Sequence, residues 1–214
     1  MFRQRLRVLF TKERLARFLG HHDLMRLWER ALRRAGLPLH YSAGFNPRPQ
    51  ISFPTALALG FESREEVFEV ELERWVSPRR AQADLQRELP EGIGIRRVQS
   101  VPHAGKAQIT GTEFTVQFTE PPPDFAALLE VFLQKAEVLV ERTGKSGTKS
   151  VDVRRFVNDA SYRAPTLTVN IAIAPDGTAR PDEVVAAVLG VAPAQTPRMR
   201  VTRTRLTLQA SPQT

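Results

Sequence analysis

The chain runs twice through the same order of elements, and that recurrence limits its fold more than any other feature. In the first half, Arg3–Phe10 alternates, with Arg3, Arg5 and Arg7 on one side and Leu6, Val8 and Phe10 on the other. That period-2 pattern predicts a half-buried strand with a basic outer face. Lys12–Leu19 is a connector. Asp23 is placed to cap a helix running to Ala35, which Gly36 and Leu37-Pro38 stop. Residues 41–60 are rich in Pro, Gly and aromatics and read as an extended arm. Val67–Leu72 alternates as a strand, Ser77-Pro78 opens a helix ending near Leu89-Pro90, and Ile93–Val101 is a further strand. The second half follows suit. Strands are expected at Glu113–Phe118, Glu137–Arg142, Leu167–Ala174 and Met199–Leu208. Helices are expected at Asp124–Ala136 and Pro181–Leu189, with a short helix or turn at Val151–Val157. Each half approximates βαββαβ. The predicted fold is therefore α+β, two tandem ferredoxin-like domains at 1–101 and 112–209, joined by the linker 102–111.

The charge is clustered. Of the net +8, residues 1–60 hold 11 Lys+Arg against 3 Asp+Glu, whereas residues 61–100 hold 7 against 9. A local surplus of Arg is the electrostatic footprint of a phosphate-rich partner. On a helical wheel with Arg26 at 0°, Arg30 falls near ~40°, Arg33 near about −20° and Arg34 near ~80°, with the apolar residues centred near ~170°. Guanidinium forks on one face suit phosphate oxygens. Two readings stay open: an RNA or DNA backbone, or pairing with the acidic run Glu62–Glu73.

The arm from Tyr41 to Pro54 holds three stiffening prolines, Pro47, Pro49 and Pro54, together with Gly44. Tyr41 and Phe45 could stack on unpaired bases, with Asn46 and Arg48 placed for polar contacts. Phe45 and Phe53 could instead plug the arm into the core.

His21, His22 and Asp23 are the candidate catalytic group, with a neutral imidazole serving as general base beside phosphates. Adjacent histidines on a helix diverge, so no metal site is expected there. The stretch Gly144–Ser150 lacks the spacing of a nucleotide-hydrolysing phosphate loop, but its two lysines suit RNA backbone. Zero Cys excludes disulfides, thiolate zinc sites, catalytic thiols and a Cys-ligated iron–sulfur cluster held by this chain alone. No cofactor is expected. No stretch approaches ~18 apolar residues, and the N-terminus lacks a signal-peptide core, so a cytoplasmic location without a membrane span is expected.

Several segments carry a family resemblance. These are Gly20-His21-His22-Asp23-Leu24-Met25-Arg26, Arg30 to Pro38, Tyr41 to Pro49, Ser52-Phe53 and Ala56 to Gly60. Together they resemble the radical-SAM-linked protein family, a domain of unknown function. That family is fused to, or encoded beside, B12-binding-type radical SAM proteins, often near ribonuclease G and ribosomal-protein genes. Val151-Asp152-Val153-Arg154 is similar to the family's Asp-x-Arg-Pro element, with Arg155 where Pro is usual. Gly20-His21-His22-Asp23 stands for the usual Ser-His-Leu-Asp. The resemblance implies a radical SAM partner in trans that holds the cluster. This chain would then be an RNA-binding accessory protein presenting rRNA or tRNA. Arg26, Arg30, Arg33 and Arg34 would hold phosphates, and Tyr41, Phe45, Asn46 and Arg48 would meet bases or the partner. Asp152 and Arg154 would complete a cleft from the second domain. At the level of fold alone, tandem ferredoxin-like domains are also similar to CRISPR RNA-processing proteins. A metal-independent endoribonuclease is therefore one alternative, and a protein-only scaffold for the radical SAM enzyme is the other.

Overall fold

The computed structural model describes residues 3–103, 105–144 and 147–209. They form a mixed α+β structure in two compact units, Met1–Gln108 and Ile109–Thr214. The division falls inside the expected linker, and the first strand of the second unit starts at its end.

The first unit holds β1 (Gln4–Lys12), α1 (His21–Arg34), β2 (Ile51–Ser52), β3 (Glu62–Leu72), α2 (Pro78–Gln86) and β4 (Ile93–Val101). Its strands lie in the order β4–β1–β3–β2, every neighbouring pair antiparallel. One parity of β1 (Leu6, Val8 and Phe10) is completely buried. These side chains pack with Phe68 and Val70 of β3, Leu24, Trp28 and Leu32 of α1, and Ala81 and Leu85 of α2. Trp28 anchors the layer, 4.9 Å from the Phe10 ring and 4.5 Å from Phe68. Deleting so large a buried ring costs about 3–5 kcal/mol.

The other parity of β1 departs from the expected basic face. The register sets Arg5 opposite Glu71 and Arg7 opposite Glu69. Ion pairs close across the strands at 2.9 Å and 2.8 Å. Burial pushes the Glu71 carboxyl up, but the Arg5 hydrogen bond and charge, helped by His103 and His40, hold it below its ordinary value. β1 therefore neutralises its own arginines against β3, as cross-strand opposite-charge pairs do.

The second unit holds β5 (Ile109–Phe118), α3 (Phe125–Gln134), β6 (Leu139–Gly144), β7 (Gly147–Asp152), β8 (Val157–Arg163), β9 (Thr166–Ala174), β10 (Gly177–Thr178), α4 (Pro181–Leu189) and β11 (Met199–Leu208). The sheet order is β11–β5–β9–β8, with β10 also on β9. Phe114, Val116, Leu167, Val169 and Ile171 fill the sheet side of the core, and Phe125, Phe132, Val184 and Val185 the helix side.

Two expectations for this unit need correction. The strand expected at Glu137–Arg142 is not in the main sheet: among the described residues β6 pairs with β7, in a separate two-stranded ribbon. The sheet's place beside β9 is taken by β8, a segment not foreseen as a strand. Gly144–Ser150, expected as a loop, belongs largely to that ribbon, and its Lys145 and Ser146 lie outside the described residues. Among the described residues, no helix is long and apolar enough to cross a membrane.

Candidate nucleic-acid interface

α1 begins at His21 after Gly20 and ends before Gly36, whose φ of +65° is the left-handed conformation that favours glycine. Asp23 is not the cap; it lies in the first turn, and the capping position is Gly20, which offers no side chain. The helix is strongly two-sided. Leu24, Leu27, Trp28, Ala31 and Leu32 are buried, while Arg26, Arg30, Arg33 and Arg34 are all exposed.

The four guanidiniums divide into two kinds. Arg33 reaches Glu29, one turn back, at 3.8 Å. Arg34 binds Glu88 through its carboxylate at 2.9 Å and its carbonyl oxygen at 2.7 Å. Arg26 and Arg30 have no ion pair or hydrogen bond among the described residues, and none of the four pairs with the run Glu62–Glu73. That run is spoken for elsewhere: Glu62 meets Arg17, Glu69 meets Arg7, and Glu71 meets Arg5.

The arm is a narrow hairpin that leaves and rejoins the edge of β3. His40 N–H donates to Glu71 O, Gln50 N–H donates to His40 O, and Glu71 N–H donates to Gln50 O. Nearer the tip, Tyr41 bridges Pro49, Ser42 N–H donates to Arg48 O at 2.8 Å, and Arg48 N–H donates to Ser42 Oγ at 3.1 Å. Gly44 turns the tip with a φ of +128°. Phe45 is fully exposed, and Tyr41, Asn46 and Arg48 are exposed beside it along the chain. The two phenylalanines thus have opposite fates. Phe53 packs into the core, 5.3 Å from Phe68, while Phe45 is presented to solvent.

His21 stands edge-on to Phe53, ring centres 5.8 Å apart, which ties the start of α1 to the returning limb of the arm. The His21 and His22 rings are 5.9 Å apart. No group of three or more metal-ligating side chains occurs among the described residues.

In the second unit, Asp152 and Arg154 both make hydrogen bonds within the unit. Asp152 Oδ1 accepts from the backbone N–H of Val138 and of Arg154. The Arg154 guanidinium donates to Leu133 O, in the last turn of α3, and to Val157 O. The pair binds the end of α3 to the start of β8.

The family model for an uncharacterized protein conserved in bacteria (DUF2344) matches residues 5–182. The chain belongs to this family. No curated protein matches it. Among solved structures, the chain is similar to one in the crystal structure of a Cbf5-Nop10-Gar1 complex, at 11% identity and a TM-score of 0.45. That match covers 93% of this chain and 48% of the other, so this chain spans about half the length of its counterpart. An unknown protein from Galdieria sulphuraria matches at 13% identity and a TM-score of 0.28, covering 98% of this chain and all of that one.

The match to DUF2344 takes in α1, the arm and the Asp152–Arg154 tie. It also takes in a residue that the sequence analysis passed over. Trp75 is 63% exposed, between Arg74 and the start of α2. Its only signal in the sequence was an aromatic beside Arg in a strand-to-helix loop, Arg74-Trp75-Val76-Ser77-Pro78.

Proposed function

We propose that this chain is an RNA-binding accessory protein, and that the exposed face of α1 is where it holds the phosphate backbone. The observation that carries this reading is the state of Arg26 and Arg30: two guanidiniums on one helix face, exposed and without a carboxylate partner among the described residues. Arg33 and Arg34, on the same helix, each reach an acid. A phosphate oxygen would supply the missing acceptor, and the guanidinium fork fits it in bidentate geometry. Phe45 adds a solvent-facing ring on a hairpin braced at its base, which suits stacking on an unpaired base, with Asn46 and Arg48 offering polar contacts.

In this proposal the two units are tandem ferredoxin-like domains. The strand orders β4–β1–β3–β2 and β11–β5–β9–β8 support it, since each places the second strand beside the third and the fourth beside the first. The RNA is ribosomal or transfer RNA, and the protein presents it in the cytoplasm to a radical SAM enzyme in trans. That part rests on the sequence resemblance, and the absence of Cys agrees with a cluster held by the partner.

The test is crosslinking and sequencing of RNA bound to the tagged protein in its own cells, with co-purifying proteins identified from the same sample. Enrichment of one RNA site, with crosslinks on peptides spanning α1 or the arm, is the expected result. A stoichiometric protein partner that survives nuclease, with no enriched RNA, would replace this reading with a protein-only scaffold.

A further inference from the structure

At the C-terminal end of α1, a cleft of about 410 Å³ opens between the turn at Gly36-Leu37-Pro38 and the loop that leads from β3 into α2. Trp75 stands at its mouth, 63% exposed. Lone exposed apolar residues are common and carry no meaning by themselves. Trp75 differs in how it is held. Two residues before it, Glu73 N–H donates to Pro38 O at 2.9 Å. One residue after it, Val76 is gripped by the side chain of Gln4: Val76 N–H donates to Gln4 Oε1 at 2.7 Å, and Gln4 Nε2 donates to Val76 O at 3.0 Å. Gln4 itself is 3% exposed, so the clamp is part of the core. The loop is fixed on both sides of a large ring that has no ring partner and no hydrogen bond among the described residues.

The charge around the ring is positive. Arg74 is exposed and has no ion pair among the described residues. Arg80 lines the cleft and is 3.5 Å from Asp84, an acid that also binds Arg87 at 3.1 Å. An indole on a pinned loop beside an unpaired guanidinium, in a cleft of small-ligand size, is suited to a base with its phosphate. The location agrees. Arg26, Arg30 and Arg33 run along one face of α1 toward this end, and Arg26 to Arg33 spans about 10 Å of helix axis.

We propose that this cleft takes an unpaired nucleotide of the bound RNA, its base stacked on Trp75 and its phosphate against Arg74. This rests on the RNA-binding reading and extends it: the strand follows the α1 face and is anchored by a base at the helix end. The ligand class is thereby narrowed to RNA with a single-stranded stretch rather than continuous duplex.

The chain supplies its own reporter, because its two tryptophans are Trp28, fully buried, and Trp75. The full chain is titrated with a short unstructured oligouridylate, with uridine monophosphate and with an acidic peptide. Tryptophan emission is recorded, and binding of labelled oligouridylate is measured independently by anisotropy. Saturable quenching by oligouridylate is expected, absent in Trp75→Phe, which retains only Trp28. Trp75→Ala is expected to bind oligouridylate about tenfold more weakly, the size of one lost base stack, and Trp75→Phe to keep most of the affinity. Arg74→Ala is expected to weaken binding while leaving quenching at saturation intact. Oligouridylate binding with unchanged emission and wild-type affinity in Trp75→Ala would overturn the cleft assignment and leave the α1 reading standing. No binding by anisotropy would remove both. Quenching by uridine monophosphate or by the acidic peptide, without quenching by oligouridylate, would overturn the RNA strand as occupant in favour of a free nucleotide or a protein.

Discussion

Arg26 and Arg30 of α1 and Arg142 and Arg154 of the second unit have the same chemistry and opposite circumstances. Arg26 and Arg30 stand exposed with no partner among the described residues. Arg142 on β6 donates through Nε and an Nη to the two oxygens of Glu183, at 2.6 Å each, and to Thr178 O at 2.9 Å. Glu183 is 3% exposed and also accepts from the N–H of Arg180 at the start of α4. The Glu183 hydrogen bond, opposed by burial, raises the Arg142 pKa above its ordinary value. Arg154 is spent on the carbonyls of Leu133 and Val157. A net charge counts all of these alike. Only the first pair is available to a partner, and the others hold the second unit together.

That contrast is tested first where the stability effect is largest. Arg142→Ala strands a buried carboxylate and is expected to destabilise the second unit by about 2–3 kcal/mol, somewhat discounted because the arginine itself is a third exposed. Chemical denaturation measures this. A loss no larger than that of a surface substitution would show that the Glu183 site is easily hydrated. Next, Arg154→Ala removes the donors to two backbone carbonyls and is expected to cost about 1–2 kcal/mol. If it leaves stability unchanged but weakens RNA binding, Arg154 is a ligand residue rather than a structural tie.

A smaller effect is expected from Glu71, where pH is the probe. Its folded-state pKa lies below the ordinary 4.5, so the stability it adds is present above that value and is lost as pH falls through the lowered one. Glu71→Gln is therefore expected to flatten the acid limb of the stability curve below about pH 4.5, read by thermal unfolding across pH. An acid limb identical to the wild type would mean that the Arg5–Glu71 pair is not formed in solution. Smallest of all, Arg26→Ala with Arg30→Ala is expected to move stability by no more than about 0.5 kcal/mol, because neither side chain has an ion pair or hydrogen bond among the described residues.

Much of the fold was legible because it is written in burial. The α1 wheel separates cleanly since Leu24, Trp28 and Leu32 face a core, and Ile93–Val101, Pro181–Leu189 and Met199–Leu208 match their expected bounds. Segments without a buried face were harder. The β6–β7 ribbon is exposed along Gly147–Ser150, so it shows no alternation, and its Gly, Lys and Ser read as loop. β8 buries only Val157 and Ala160 in a polar sequence, Val157–Arg163, and pairs along an edge. At the candidate site, residue type and helical phase were visible in the sequence, but partnership was not. Nothing local says that Arg7 will meet Glu69 across a strand while Arg26 has no ion pair or hydrogen bond among the described residues. Trp75 was missed for the same reason: its exposure follows from the Gln4 clamp on Val76, a contact 72 residues away in sequence.

The salt dependence of RNA binding by the Arg26→Ala, Arg30→Ala double variant tests the α1 assignment most directly, measured beside Arg142→Ala at a temperature where both are folded. Each lost phosphate contact removes roughly 0.7 from the slope of log affinity against log salt for a single strand. The expected result is weaker binding with a shallower slope in the α1 variant and a wild-type slope in Arg142→Ala. An unchanged affinity and slope in the α1 variant would contradict the assignment of this face to the RNA backbone.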